Sequence, residues 1–148
     1  MKKVLIIASL LLSFKANAQW KTKTVDNGFD KPYRICSTAV ANNAILKLEN
    51  VDGEIAFYLQ GTYYCDETPN VDLVFYVNNE PKVYEIKTTI STDREVVWLV
   101  DNLLTNAMLS DFKNCSVLKI RVTDSICDDE IYSFNMSGST TAFNFIIK

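Results

Sequence analysis

Histidine, which serves as a catalytic base and metal ligand in many proteins, is absent from this sequence. Its absence excludes Ser-His-Asp and Cys-His mechanisms and most catalytic metal sites. Carboxylates remain as acid and base groups, as in glycoside hydrolases. The candidates are Asp66 with Glu67, and the run from Asp128 to Glu130. Both lie in predicted turns, where acidic side chains are usually solvated, so we predict no catalytic residue and no cofactor.

The acidic segment between residues 124 and 130 could also gather ligands for calcium, because calcium prefers oxygen ligands. Its acidic side chains are Asp124, Asp128, Asp129 and Glu130. The segment lacks the glycine and the alternate-residue spacing of a known calcium loop. We therefore predict no metal site here.

Four cysteines could form crosslinks: Cys36, Cys65, Cys115 and Cys127. No pair has Cys-x-x-Cys spacing, which argues against a zinc site or a thioredoxin-type redox centre. An even number of cysteines in an exported chain favours disulfides. We therefore expect two structural bridges.

Strand geometry discriminates among the three ways of pairing these cysteines. A predicted strand from Val117 to Thr123 separates Cys115 from Cys127. At about 3.3 Å per residue, the residues after the strand must run back almost fully extended to bring Cys127 near Cys115. Even then the two Cα atoms barely come within the roughly 7 Å that a bridge needs. We therefore predict the pairs Cys65 with Cys127 and Cys36 with Cys115, at opposite ends of the fold.

The most suggestive binding surface is an alternating set of aromatic and polar side chains within the segment 54–77. Its members are Tyr58, Gln60, Thr62, Tyr64 and Tyr76. Aromatic rings with amide and hydroxyl neighbours stack on and hydrogen-bond to sugars or peptides. The alternative is that a second layer covers these rings, because strands of β-sandwiches commonly carry tyrosine.

Residues 1–18 have the features of a secretory signal peptide. Lys2 and Lys3 precede the apolar run from Val4 to Leu12, and Ala16-Asn17-Ala18 provides small residues before the cleavage site. The apolar run is shorter than the roughly 20 residues of a membrane-spanning helix. We expect a periplasmic or secreted protein without a membrane span.

Loss of this segment would move the formal net charge from −3 to −6, because it contains three lysines and no acidic residue. A chain this acidic is a poor match for nucleic acids or anionic membranes, which attract clustered Lys and Arg. Residues 19–148 have the length of a single domain with its own core.

Hydrophobic periodicity predicts a mainly β protein, an antiparallel β-sandwich of about eight or nine strands with one short helix. The clearest alternation runs from Glu54 to Val77 and predicts a β-hairpin with its turn at residues 66–70. The run from Val96 to Val100 predicts a strand that is buried on both faces. A further hairpin is predicted from the alternation between Leu118 and Met136.

The helix is predicted between Asp101 and Asn114, with Asp101 or Thr105 as its N-cap. The segment from Phe29 to Asn43 has no clear period, and we expect an irregular crossing or a short helix there. Phe143, Phe145 and Ile147 alternate with other residues and predict a last strand.

Several short segments resemble small exported β-sandwich proteins, including type VI secretion accessory proteins. The resemblance rests on the Cys-ended strand Tyr63-Tyr64-Cys65, a helix that ends in Phe112, the strand Leu118 to Val122, and the closing residues Phe134 to Gly138. It spans roughly the last two thirds of the chain and implies an accessory or binding role without catalysis. No functional residue is carried over from it.

The sequence thus leaves two hypotheses. The first is a non-catalytic exported binding or accessory module of the bacterial envelope or exterior, whose partner is a protein or glycan of the envelope. The alternative is a small carboxylate-dependent hydrolase that acts on glycans. The ligand and the oligomeric state do not follow from the sequence.

Overall fold

The computed structural model describes residues 20–40, 44–61, 63–99 and 106–148. In these ranges the chain forms ten strands in two antiparallel sheets, together with two helices. This confirms the prediction of a mainly β, sandwich-type fold, with a second helix that the sequence did not predict. The predicted signal peptide, Thr62, and the proposed caps Asp101 and Thr105 lie outside the described residues.

The larger sheet has six strands, in the order β1-β2-β3-β4-β8-β7. Their bounds are β1 Lys21–Val25, β2 Tyr33–Ala39, β3 Ile45–Val51, β4 Glu54–Gln60, β7 Thr89–Ile90 and β8 Val96–Leu99. The smaller sheet has the order β10-β9-β5-β6. Its strands are β5 Asn70–Val77, β6 Glu80–Lys87, β9 Val117–Thr123 and β10 Glu130–Asn135.

The core lies between these layers and is filled by alternate residues of both sheets. Side chains of this kind that are fully buried include Leu46, Leu48, Phe57, Leu59, Leu73, Phe75, Leu118 and Ile120. Each contributes about 1.5–3 kcal/mol by leaving water. Because side chains alternate along a strand, the residues between them face outward.

The segment 54–77 is not the hairpin that its alternation predicted. β4 pairs with β3 and β8 in the six-stranded sheet, whereas β5 pairs with β6 and β9 in the other sheet. Both strands do bury their apolar face in one core, but from opposite sides of it. Periodicity identifies the buried face of a strand and does not reveal whether its partner lies beside it or across the core.

The predicted helix is α1, Asn106–Asn114, and the predicted last strand is instead a helix, α2, Ser139–Ile146. In α2, Ser139, Ala142, Phe143 and Ile146 are buried, and this spacing is helical. Phe145 is only partly buried and Ile147 is exposed, so the two-residue alternation seen in the sequence was misleading.

The segment from Phe29 to Asn43 also differs from expectation, because its residues 33–39 form β2. Cys36 and Thr38 face the core there, while Ile35 lies on the opposite face and is only half-buried. Because the polar Thr38 faces the core and the apolar Ile35 faces outward, apolar and polar residues do not alternate along β2. The sequence therefore shows no two-residue period there.

β8 is buried on one face rather than on both. Val97 is fully buried, but its neighbour Trp98 is 45% exposed. In the described part of the chain, no helix has the length and apolar character needed to cross a membrane.

Candidate functional site

The predicted surface of aromatic and polar residues does not form one patch. Tyr58 and Gln60 lie on the outer face of β4, whereas Tyr76 belongs to β5 in the opposite sheet. Tyr64 is only 1% exposed and belongs to the core. The error follows from the hairpin prediction, which placed strands of two different sheets side by side.

Tyr64 has a structural role beside Tyr132. Their hydroxyl oxygens are 3.4 Å apart within the core, and desolvation by burial raises the pKa of Tyr64 well above its usual value. Gly61 lies against both hydroxyls, so a side chain at this position would overlap them. The second layer that the sequence allowed for does cover Tyr64.

The half-buried Tyr58 instead forms an aromatic pair with the exposed Trp98, its direct neighbour on β8. The two ring centroids are 4.9 Å apart and the rings are inclined at 76°. This edge-to-face arrangement is a favourable one for aromatic rings. It leaves part of Trp98 open to solvent on the outer sheet face, one strand in from the edge strand β7.

Polar contacts fix the position of Tyr58. Its hydroxyl donates to Glu49 Oε2 at 3.2 Å, and Lys47 Nζ lies 5.3 Å from its ring centroid. Lys47 also forms an ion pair with Glu49. Glu49 and Lys47 on β3, together with Trp98 on β8, therefore fix the position of the Tyr58 ring in the unliganded protein.

Strand register extends this pair into a row across the whole six-stranded sheet. Successive neighbours in the row are Lys21, Ser37, Lys47, Tyr58, Trp98 and Thr89. We call this set the Trp98 row. With about 4.8 Å between strands, it is about 24 Å long. Gln60, two residues beyond Tyr58 on the same face, is exposed beside it.

Tyr76 lies on the outer face of the four-stranded sheet and has a similar cation above it. Lys119 Nζ is 5.3 Å from the centroid of the Tyr76 ring. The residue opposite Tyr76 on β9 is Val117 and on β6 is Pro81, so no ring stands beside it as Trp98 stands beside Tyr58. Tyr76 therefore offers a matched comparison for the Trp98 row.

Asp124 organises the end of the fold where the disulfide lies. Its Oδ2 accepts hydrogen bonds from the backbone N–H groups of Cys65 and Asp66, at 2.6 and 3.0 Å. Its Oδ1 accepts from those of Ile126 and Cys127, at 2.9 and 3.0 Å. Burial opposes ionisation of this carboxyl, but the four bonds outweigh it and lower the pKa of Asp124 to about 2.

The disulfide joins Cys65 to Cys127, with their Cα atoms 5.8 Å apart, which is the pairing predicted for these two residues. Potential ligand atoms of Cys65, Asp124 and Cys127 lie within 4.8 Å of one another, as they would in a metal site. Here the two sulfur atoms are bonded to each other and the carboxylate is occupied by backbone donors. The cluster is a structural tie between two loops.

The second predicted disulfide is not formed. Cys36 and Cys115 are free and buried, and desolvation raises the pKa of each thiol to about 12. Cys36 lies in the middle of β2, paired with Thr22 and Leu48, rather than in the irregular segment that the sequence indicated. Cys115 follows α1, and its Sγ is 3.6 Å from the carbonyl oxygen of Phe112.

Of the acidic candidates for catalysis, Asp66, Glu67, Asp128 and Asp129 lie in turns or loops as predicted, whereas Glu130 is the first residue of β10. Asp66 accepts hydrogen bonds from the Ser125 hydroxyl and the Thr68 N–H, and these lower the pKa of Asp66. Glu67 pairs with Arg94 at 3.2 Å, and Asp128 and Asp129 are exposed. These contacts account for Asp66 and Glu67 as parts of loop structure.

Two other carboxylates, which the sequence did not single out, are held on the sheet surfaces or in the core. Asp111 of α1 is buried and accepts from Lys82 Nζ and the Tyr84 hydroxyl, both at 2.6 Å. Asp72 pairs with Arg121, whose Nε is 2.8 Å away. In each case the partners are distant in sequence, so only the fold brings them together.

Asp72 also contributes to a shallow depression of about 430 Å³ on the four-stranded sheet. The lining residues are Asn70, Asp72, Glu85, Ile86, Arg121 and Thr123. Asp72 and Glu85 are directly opposed on β5 and β6. This places two carboxylates close together at an open surface.

Comparison with known proteins identifies the fold and not a family. No protein-family model and no curated protein matches the chain. Among solved structures, it is similar to invasion associated protein B from Bartonella henselae, with a TM-score of 0.61 and 18% sequence identity. The match covers 90% of this chain and 94% of that chain. It supports a fold shared with a small bacterial protein, and the resemblance to type VI secretion accessory proteins stays a prediction.

Proposed function

We propose that the protein is a non-catalytic, exported accessory module of the bacterial envelope or exterior, and that it binds its ligand through the Trp98 row. The observation that carries this proposal is the exposed Trp98 ring, set edge-to-face with Tyr58 on the outer face of the six-stranded sheet. Tryptophan and tyrosine are enriched in binding surfaces because they offer large, rigid contact areas.

Preorganisation supports the same function. Glu49 and Lys47 already hold Tyr58, and Tyr58 in turn packs against Trp98. A ligand that stacks on Trp98 would therefore meet a platform whose side chains lose little conformational freedom on binding. An exposed ring without such contacts would have to be ordered at a cost in affinity.

Two further observations support an exported accessory role. The Cys65–Cys127 disulfide is compatible with an oxidising compartment outside the cytoplasm. The similar solved structure is that of a protein described as invasion associated. An accessory role of that kind is part of the proposal for this chain.

The test is a binding screen against glycans and soluble fractions of the bacterial envelope. Trp98→Ala should remove or strongly weaken binding of whatever the wild-type protein retains. Tyr76→Ala is the matched control, because it removes a ring with a similar lysine contact from the opposite face. If Tyr76→Ala abolishes binding and Trp98→Ala leaves it intact, the proposed surface is wrong.

One observation favours the second candidate, a carboxylate-dependent hydrolase acting on glycans. Asp72 and Glu85 are opposed across two strands, and such neighbours have Cβ atoms about 5 Å apart. Retaining glycosidases also place two carboxyl groups close together, about 5–5.5 Å apart. Arg121 donates a hydrogen bond to Asp72, so Asp72 also has a purely structural role as the partner of Arg121.

An assay of reducing-end release from glycans tests this candidate directly. Turnover by the wild-type protein that is lost in Asp72→Asn and in Glu85→Gln would favour the hydrolase over the binding module. Asp128→Asn serves as a control, since Asp128 is an exposed acidic residue away from the lining of the depression.

A further inference from the structure

We infer that the ligand of the Trp98 row is an anionic polysaccharide chain, of the kind in which sugar units carry carboxylates. This inference rests on the function proposed above and names its ligand class. It draws on the shape of the row, the types of side chain in it, and its charge.

The shape of the row fits a linear polymer. The row crosses six strands over about 24 Å and lies on a sheet face rather than in a pocket. Its central members, Lys47, Tyr58 and Trp98, lie on strands whose backbones pair with neighbours on each side. An extended peptide that adds to a sheet needs a free edge, so these central positions do not offer that mode of binding.

The side chains of the row are those that bind sugars. Trp98 presents an apolar ring, and aromatic rings with polar neighbours combine stacking with hydrogen bonds. The exposed residues Gln60, two positions along β4 from Tyr58, and Thr89, opposite Trp98 on β7, add an amide and a hydroxyl next to the ring pair. Ser37 adds a second hydroxyl between the two lysines of the row.

The charge of this region is opposite to that of the chain. The full sequence carries a formal charge of −3, yet the outer face around the row carries Lys21, Lys23 and Lys47 against Glu49. Glu54 lies on the same face, about 13 Å from Tyr58 along β4, so this face carries three lysines against two glutamates, a formal charge of +1. A locally positive surface on an otherwise acidic protein attracts an anionic ligand.

Lys21 and Lys23 have a second role that must be separated from ligand binding. They lie on β1, an edge strand, and edge lysines hinder unwanted strand pairing between molecules. If that is their only role, their removal will alter self-association and leave glycan affinity unchanged.

The test measures affinity for polygalacturonate by titration calorimetry, beside its fully methyl-esterified form, which has the same backbone without charge. Polyglutamate tests for attraction to negative charge alone. The variants are Trp98→Ala and the double substitution Lys21→Gln with Lys23→Gln. The matched controls on the opposite sheet are Tyr76→Ala and Lys119→Gln.

We expect wild-type protein to bind polygalacturonate and to bind the ester and polyglutamate at least tenfold more weakly. Trp98→Ala should weaken binding about tenfold, which is what the loss of one stacked ring costs. The double lysine variant should weaken it by a similar factor and reduce its dependence on salt. The controls should bind as the wild type does.

Other outcomes would overturn the inference and separate it from the proposed function. If polygalacturonate and its methyl ester bind equally well and Trp98→Ala abolishes both, the Trp98 row is the binding surface but its ligand is not selected for negative charge. Polyglutamate bound as tightly as polygalacturonate would refute a glycan ligand. Absence of binding to polygalacturonate and to its methyl ester would refute the ligand class. A dimer in sedimentation analysis that Trp98→Ala dissociates would show that a second copy of the chain covers the Trp98 row.

Discussion

Asp124 provides the sharpest test of how the loops at the disulfide end are held. Its carboxylate accepts four backbone N–H bonds, two on each oxygen. In Asp124→Asn, one oxygen becomes an amide NH2 that faces two donors and accepts from neither. Leaving a buried donor unsatisfied costs about 1–3 kcal/mol, so the two donors together should cost about 3 kcal/mol. For a domain of this size, that corresponds to a Tm about 12 °C lower.

The effect should depend on pH with a definite sign. The pKa of Asp124 is lowered in the folded protein, from 3.8 to about 2. The charged carboxylate therefore contributes its full stabilisation above pH 3.8 and loses it as the pH falls through about 2. Because asparagine does not titrate, the difference in Tm between wild type and variant should be constant near neutral pH and should shrink on acidification below 3.8.

Thermal unfolding followed by near-ultraviolet circular dichroism measures this difference, with the disulfide kept intact throughout. Asp128→Asn is the matched control, because it makes the same change at an exposed position of the same loop. If both variants unfold at the same temperature at neutral pH, Asp124 does not hold the loops as described. A difference that persists unchanged at pH 2 would refute the assignment to the charged carboxylate.

Three further predictions concern the core. Gly61→Ala should lower the free energy of unfolding by about 1–3 kcal/mol, because its methyl group would overlap the Tyr64 hydroxyl; unchanged stability in a urea titration would contradict this packing. Cys36 and Cys115 should resist a thiol reagent at pH 8 in the native protein and both react in guanidinium, since burial raises each pKa to about 12; no reaction in denaturant would show that they are bonded. Burial opposes ionisation of Asp111, but its hydrogen bonds lower its pKa. Asp111→Asn should therefore destabilise the fold at pH 7, and destabilise it less at pH 3. Equal unfolding midpoints of variant and wild type at pH 7 would contradict that role.

The fold could be predicted from the sequence where two successive strands with alternating apolar residues also pair with each other. The alternation from Leu118 to Phe134 predicts the hairpin of β9 and β10, and these strands do pair along their length. The alternation of β4 and β5 is as clear, yet it identifies only the buried face of each strand. In α2, Phe143 fits a two-residue and a helical period equally well, and packing against α1 and β2 decides for the helix.

The candidate site was harder to predict because it depends on which strands are neighbours. The sequence pattern singles out Tyr58, but the apolar run around its ring partner Trp98 predicts a strand that is buried on both faces. The two residues are 40 positions apart, and they meet only because β8 pairs with β4. The contacts of Asp124 with Cys65 depend in the same way on distant loops that meet at one end of the fold.

The most direct test of the central claim is an NMR titration of the isotope-labelled protein with polygalacturonate, or with a ligand found in the glycan screen. The account predicts shifts in the Trp98 indole signal and in the amides of β3, β4 and β8, with little change in β5, β6 and β9. Shifts confined to the four-stranded sheet, around Tyr76 or Asp72, would contradict it.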